Sequence, residues 1–547
     1  GLSVHGSIAY DSYYYSRKKY SKTFPYYLAR RDAEDPDYIY LIPQSEESIW
    51  SVSTGWDKNR KVYMEFGIDY NRTFGLHKTT ALILYNQRKY YSPSLQYYVP
   101  NAYQGLVGRL TYEYASRYLA EFNMGYNGTE NFAKGKRFGF FPAVSLGWVI
   151  SEEKFFPKNN IVKYLKVRGS YGEVGNDQIG GDRFLYLPSS YGAASDSGVN
   201  KYNFGLASNP YTSLMIVENK IGNPDLTWEK AKKMNVGVDI NLFNNCLTAS
   251  FDIFKEKRNN ILANRSTSPM IIGANLPAYN FGEMENRGWE MDLNFRHHIQ
   301  DFHYWARFNY SFARNEIIYM DEVQKRYDYQ MTTGRRKNQF FGLIFDGYYN
   351  SWEEINALDR PKSSWSGNQL QPGDVKYVDV NQDGVIDDYD MVPIGYTPVP
   401  EIIYGFSFGA QYKGFDFSIL FQGADNVSIK YFGRSMWPFA KGEESAKSLI
   451  KERWTQERYE AGEKITFPRL SLNPNGETDH NYRPSTLWIR DASYLRLKNL
   501  EVGYTFTGGF VKRLNLNSVR LYFNGSNLFT WTDVVAVSYT HLTLPTN

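Results

Sequence analysis

The sequence predicts an all-β protein, an antiparallel transmembrane β-barrel with long outer loops and short turns at the opposite end. Three observations predict it. Apolar and polar residues alternate with period two over segments of about ten residues, longer than the usual soluble strand of five or six. A tilted strand needs about 9–11 residues to cross a bilayer. Aromatic residues make up 17% of the 547 residues, with 47 Tyr, 35 Phe and 12 Trp. Such rings suit places where one end is apolar and the other wet, as at a membrane interface. Finally, the connections between segments alternate long and short, the asymmetry of outer-membrane barrels.

About fifteen strands follow in order, near 2–15, 60–71, 76–90, 105–115, 117–128, 139–150, 163–173, 233–243, 247–257, 286–297, 302–315, 400–412, 415–426, 486–507 and 518–530. Val62, Met64, Phe66, Ile68 and Tyr70 alternate with Tyr63, Glu65, Gly67 and Asp69. Met234, Val236, Val238, Ile240 and Leu242 alternate with Asn235, Gly237, Asp239 and Asn241, and Leu500, Val502, Tyr504 and Phe506 with Asn499, Glu501, Gly503 and Thr505. Lys413-Gly414 and Asn244-Asn245 read as tight hairpin turns. Helical patterning is scarce; the charged stretch Glu443 to Tyr459 is the best helix candidate.

Composition excludes several classes. With 62 Lys+Arg against 58 Asp+Glu the net charge is +4, too balanced for a nucleic-acid protein held by a basic field. The single cysteine, Cys246, excludes an internal disulfide framework. No run of eighteen apolar residues forms a membrane helix, and no signal peptide opens the chain. A soluble propeller would show a repeat of about 40–50 residues, and none is visible. The competing reading is a soluble all-β glycan-binding or glycan-active protein.

The sharpest local motif runs from Asp379 to Asp390 and matches the calcium-loop pattern D-x-N-x-D-G. Asp379, Asn381, Asp383, the Val385 carbonyl, Asp387 and Asp390 are the candidate metal ligands, with Gly384 permitting the sharp turn. Asp390 stands where a bidentate Glu is usual. The expected role is structural, pinning a long outer loop, and an Asx-turn-rich loop without metal is the competing reading. Gly169, Gly172, Gly175, Gly180 and Gly181 lack the following helix that a phosphate cradle needs. His297, His298 and His303 surround one short turn and read as polar turn residues. Loop aromatics such as Tyr348, Tyr349, Trp352, Trp365, Trp437 and Trp454 could stack on sugar rings or pack the loops. No Ser-His-Asp or Cys-His arrangement stands out, so no catalytic residue is expected.

Several stretches together resemble the SusC/RagA family of TonB-dependent outer-membrane transporters, typical of Bacteroidetes. They are Asn223 to Glu229 (NPDLTWE), Asn280 to Glu290 (NFGEMENRGWE), Gly373 to Asp379 (GDVKYVD), Tyr494 to Leu500 (YLRLKNL) and Arg520 to Thr530 (RLYFNGSNLFT). The resemblance implies a barrel of about 22 strands, an N-terminal plug within it and a TonB box before the plug. It also implies a SusD-like surface lipoprotein as lid, energy from TonB–ExbB–ExbD, and oligosaccharide or peptide as cargo, with no reaction catalysed. The first and fifteenth strands both run outward, so the chain is expected to hold the seventh to twenty-first strands of such a barrel. Residues 1–532 read as a partial barrel domain without plug, TonB box or signal peptide. The tail 533–547 breaks the family pattern and is expected to be foreign to the fold. A barrel-based surface adhesion protein is a further alternative.

Overall fold

A computed structural model describes residues 1–534, except 26, 32–34, 36–38, 44, 96–97, 179–182, 189–191, 194–200, 207–210, 218–220, 269–275, 366–369, 434–435, 440–447 and 472–478. The tail expectation falls almost wholly on residues 535–547, outside the described residues.

One fifteen-stranded sheet dominates. Its strands are β1 (Leu2–Ser21), β2 (Ser51–Phe74), β3 (His77–Tyr91), β4 (Asn101–Tyr114), β5 (Tyr118–Thr129), β6 (Phe138–Val149), β7 (Val162–Asn176) and β8 (Glu229–Leu242). They continue as β9 (Leu247–Ala263), β10 (Tyr279–Ile299), β11 (Phe302–Tyr319), β12 (Ile402–Tyr412), β13 (Phe415–Asp425), β14 (Tyr494–Phe506) and β15 (Val519–Thr532). Each pairs with its neighbour in sequence, and β1 and β15 pair on one side only. All these pairings are antiparallel, as in β1 with β2 and β14 with β15.

The register sorts side chains by chemistry. Phe66, Tyr85, Leu106, Tyr126 and Phe140 lie opposite one another across β2 to β6. One residue along, Glu65, Asn86, Gly105, Asn127 and Gly139 form the row on the other face. Farther on, Val238, Phe251, Met291, Tyr310 and Tyr404 share the apolar face, and Asp239, Ser250, Asp292, Asn309 and Gly405 the polar one. The apolar rings are widely exposed in the isolated chain, Phe66 by 52% and Phe140 by 49%. A large apolar surface of this kind, on one face of long antiparallel strands, fits the lipid-facing side of a membrane barrel. Ion pairs knit the polar face: Arg168 reaches Asp239 at 3.1 Å and Asp252 at 2.7 Å, and Arg109 reaches Glu121 at 3.0 Å.

From β7 onward the connections alternate long and short as the sequence predicts, but before it the link 150–161 on the turn side is longer than the link 130–137 on the loop side. Two-residue turns join β2 to β3, β10 to β11 and β12 to β13. Lys413 and Gly414 take φ of 44° and 95°, the mirror-image turn that matches strand twist. At the other end the chain makes long excursions, the largest being residues 320–401 and 426–493. Three expectations need correction. The strand near 486–507 begins at Tyr494; Ile489–Asp491 instead pairs with Ser428–Lys430 in a separate ribbon. The strands near 60–71 and 286–297 extend well beyond the alternating segments, to 24 and 21 residues. The expected helix from Glu443 to Tyr459 is not one helix. Ser448–Glu452 is a 3-10 segment, and Gln456–Glu460 is a separate short helix capped by the Thr455 hydroxyl. Residues 443–447 lie outside the described residues.

Candidate functional site: the folded outer loops and the polar face

The main apolar core lies outside the large sheet. Leu343, Tyr348, Val375, Tyr377, Ile386, Met436, Trp454, Phe467, Tyr482, Leu487 and Trp488 form one buried cluster, drawn from the excursions 320–401 and 426–493. These two loops therefore fold together as one outer unit. Phe345–Tyr348 pairs with Val375–Tyr377, and Trp488 packs on Tyr482 and Phe467 with ring centroids 5.4 Å away in both cases. Burying that many large rings drives the unit together without help from lipid.

A buried polar knot fixes its centre. Asp374, only 3% exposed, accepts from the Asn481 amide at 2.8 Å and the Gln371 backbone N–H at 2.8 Å, and pairs with Arg469 at 2.6 Å. Asn481 in turn accepts the Val375 N–H at 2.9 Å. His480 lies beside it, with Nε2 2.7 Å from the Val375 carbonyl and Nδ1 3.1 Å from the Ser363 hydroxyl. A carbonyl only accepts, so Nε2 carries the proton and Nδ1 accepts from Ser363.

Burial lowers the His480 pKa, opposed by the Val375 carbonyl and by the Asp374 and Asp479 charges, and reinforced by Arg483. The folded state therefore binds fewer protons here than the unfolded state, whose imidazole titrates near 6.5. This contribution to stability is full above about pH 6.5 and is lost as pH falls below it. Burial raises the Asp479 pKa, which acts with the opposite sign and at lower pH. Proteolysis of the outer loops should accordingly quicken on going from about pH 7.5 to about pH 5.5. His480→Gln should flatten that response; an unchanged pH profile in the variant would remove His480 as its cause.

The acidic loop sits at the rim of this unit. Asp379 accepts from the Gln382 and Gly384 N–H groups at 2.7 and 2.8 Å. Asn381 accepts from Asp383 N–H, Asp383 from Val385 N–H, and Asp387 from Tyr389 N–H. Gly384 has φ of 81°, the left-handed turn that the motif requires of glycine. Asp390 differs from the rest: it is fully buried and accepts three backbone N–H groups, from Val380, Asn381 and Asp387. Burial raises its pKa despite those bonds. Val385 and Ile386 also pair in parallel with Lys362 and Ser363, which ties the loop to the His480 contact. Among the described residues no three His, Cys, Asp or Glu side chains converge to hold a metal by themselves. A carboxylate offers about four lone-pair sites, more than the hydrogen bonds that Asp379, Asp383 and Asp387 accept here, so each keeps capacity for a cation.

Other expected features settle as follows. Tyr348, Tyr349 and Trp454 are buried in loop packing, Trp352 is exposed, and the Arg483 guanidinium covers the Trp365 ring at 3.7 Å. Trp437 packs beside Tyr482. Gly169, Gly172 and Gly175 lie within β7; Gly180 and Gly181 are outside the described residues. His298 and His303 stack across the turn at 5.5 Å, and His297 lies 3.4 Å from the Cys246 Sγ. On the polar face a recess of about 420 Å³ is lined by Lys78, Glu113, Glu121, Lys166, Arg168 and Asn235. Nothing in the local sequence foretells the Asp374 knot, whose partners lie far along the chain.

A sheet with one lipid-facing side, one charged side and aqueous loops folded at one end defines the wall of an outer-membrane β-barrel. The chain belongs to the TonB dependent receptor-like, beta-barrel family, whose model matches residues 2–528. TonB-dependent receptor P3 of Formosa agariphila is 28% identical over 436 residues, 78% of this chain and 41% of that protein. TonB-dependent receptor SusC of Bacteroides thetaiotaomicron is 28% identical over 414 residues, 75% of this chain and 38% of that protein. The chain thus spans about two fifths of the length of these curated relatives. The fold also matches the structure of the RagAB peptide transporter, with a TM-score of 0.69 and 19% identity over 97% of this chain and 57% of that one. The resemblance to SusC and RagA is thereby supported by sequence and fold, and the outer membrane is the place of such a protein. The family is one of receptors and transporters.

Proposed function

We propose that this chain forms the barrel wall and outer loops of a TonB-energised importer that takes up oligosaccharides or peptides beneath a SusD-like lipoprotein lid. No residue in it acts as a catalyst. The observation that carries this reading is the pairing of a charged inner face with a separately cored outer unit. The charged face suits a hydrated passage, and the outer unit offers a stiff rim for cargo and lid. TonB–ExbB–ExbD would act through a plug of the kind the family resemblance implies. The fold neighbour described as a peptide transporter supports the peptide class, and the oligosaccharide class rests on the family resemblance alone.

The test is uptake in the native host with the gene deleted. Labelled oligosaccharide and peptide pools should enter wild-type cells, and one pool should be lost on deletion and equally on collapse of TonB energisation. Unchanged uptake of both pools, or uptake indifferent to TonB, would sink the importer reading and favour surface adhesion.

For the acidic loop we propose a structural calcium site, with Asp379, Asn381, Asp383, the Val385 carbonyl and Asp387 as ligands. Asp390, the sixth candidate, would act through the three N–H groups it holds, closing the loop around the ion. Calorimetric Ca²⁺ titration should give saturable heat that an Asp379→Ala, Asp383→Ala double variant lacks. Identical heats in the two proteins would end the idea.

A further inference from the structure

We infer that a cluster of arginines at the outer end of β10 and β11 is a binding site for the phosphate of a membrane lipid headgroup. Arg287 and Arg314 lie directly opposite each other on adjacent strands. Like charges so placed repel, and a sheet tolerates them only with compensation. The compensation within the protein is incomplete. Glu401, 5% exposed, is shared between Arg314 at 2.8 Å and Arg336. Among the described residues the only ion-pair partner of Arg287 is Glu316, at 3.8 Å. No hydrogen bond or ion pair involves the Arg335 side chain among the described residues, although its backbone carbonyl accepts from Ile317. Among the described residues, the ion pairs of these four guanidinium groups reach two carboxylates, Glu316 and Glu401.

They surround a recess of about 410 Å³ lined by Arg287, Arg314, Glu316, Arg335, Arg336 and Gln339. The recess is braced from behind. Arg336 donates to Gln339 at 3.2 Å and covers the Tyr396 ring at 5.3 Å, while Arg314 covers Phe312 at 5.5 Å. Guanidinium forks held in this way suit a tetrahedral oxyanion, which accepts paired N–H donors.

Location distinguishes a lipid from a soluble anion. By register, Arg287 and Arg314 continue the same face as Trp289, Met291, Phe312 and Tyr310. That face is the apolar one, and the Trp289 and Tyr310 rings stack on it at 4.7 Å. The arginines come immediately after these aromatics on the way to the excursion 320–401. Stacked Trp and Tyr mark the membrane–water boundary, and cationic side chains just beyond it meet headgroups. The charged inner face belongs to the opposite side chains of the same strands.

The test uses the native protein purified from its outer membrane and placed in nanodiscs of phosphatidylcholine, with or without phosphatidic acid. Native mass spectrometry would read which lipid is retained. The wild type should retain phosphatidic acid preferentially. Arg287→Gln with Arg335→Gln spares both Glu401 pairs and should weaken that retention on the order of tenfold. The lysine double variant, R287K with R335K, should keep most of it. If the glutamine double variant does not give folded barrel, Arg335→Gln alone is read, since it removes no side-chain partner. No preference for phosphatidic acid, or equal retention by the variants, would overturn the site. Inorganic phosphate that binds alone and displaces the lipid at millimolar concentration would overturn the lipid assignment and leave a free-anion site.

Discussion

Asp374→Ala should open the outer-loop unit while leaving the strands paired. The carboxylate is almost fully buried and serves Arg469, Asn481 and the Gln371 N–H together. Alanine would leave the Arg469 charge, itself largely buried, without its counterion, and the Asn481 amide without its acceptor. Removing one partner of a buried pair costs about 3–5 kcal/mol. The excursions 320–401 and 426–493 meet at this point, so the loss should appear as rapid proteolytic cleavage within both. The β content by circular dichroism should hardly change. Asp374→Asn keeps the shape and part of the bonding and should fall between. Wild-type protease resistance in the alanine variant would show that the apolar cluster alone holds the loops.

Trp228→Ala is the second large effect. Trp228 is 3% exposed, lies against Phe132 and Phe141 with centroids at 5.6 and 5.3 Å, and donates to the Arg137 carbonyl at 3.2 Å. With Leu185 and Leu226 these residues form a second buried cluster, where the excursion 177–228 returns to β8. Truncating a buried Trp costs about 3–5 kcal/mol. The variant should show a lower thermal midpoint and release of that excursion to protease, with residues 320–401 still protected. Cleavage confined to the latter loop would contradict the assignment of Trp228 to this separate cluster.

Much of the frame was legible in the sequence because a strand with one face in lipid and one in water writes its period directly into the residues. All fifteen strands were visible in this way, as was the alternation of connections from β7 onward. Boundaries were less visible. At Ser51–Phe74 hydrogen bonding to β1 carries the strand well past the alternating core, since a hairpin beyond the bilayer needs no apolar face. The stretch 443–459 carries helical composition, yet Trp454 is buried against Gly373 and Phe467, and that packing overrides one continuous helix.

The family-like stretches prove to be seams. Asn280 exchanges bonds with Thr227, its Oδ1 accepting from the Thr227 N–H and its Nδ2 donating to the Thr227 carbonyl, both at 2.9 Å. The segments 223–229 and 280–290 are therefore stitched to each other. Gly373, with φ of 93°, lies where a Cβ would meet Trp454. These residues were recognisable as a pattern, but their partners lie far off in the chain. Asp374 and Asn481, for example, are 107 positions apart. The arginine cluster escaped for the same reason, since Arg287 and Arg314 meet only through strand register.

The placement of the main apolar cluster outside the sheet has a consequence for the choice of solvent. Two parts of one chain hide their greasy atoms from water by different means: the outer unit within itself, the strands within the surrounding amphiphile. Exchanging one detergent for another should therefore move the unfolding of the strands and leave that of the loops nearly fixed. Urea, which solvates exposed apolar and peptide groups alike, should loosen the loops first. Calorimetry across a detergent series would show one transition that migrates with the micelle and one that stays.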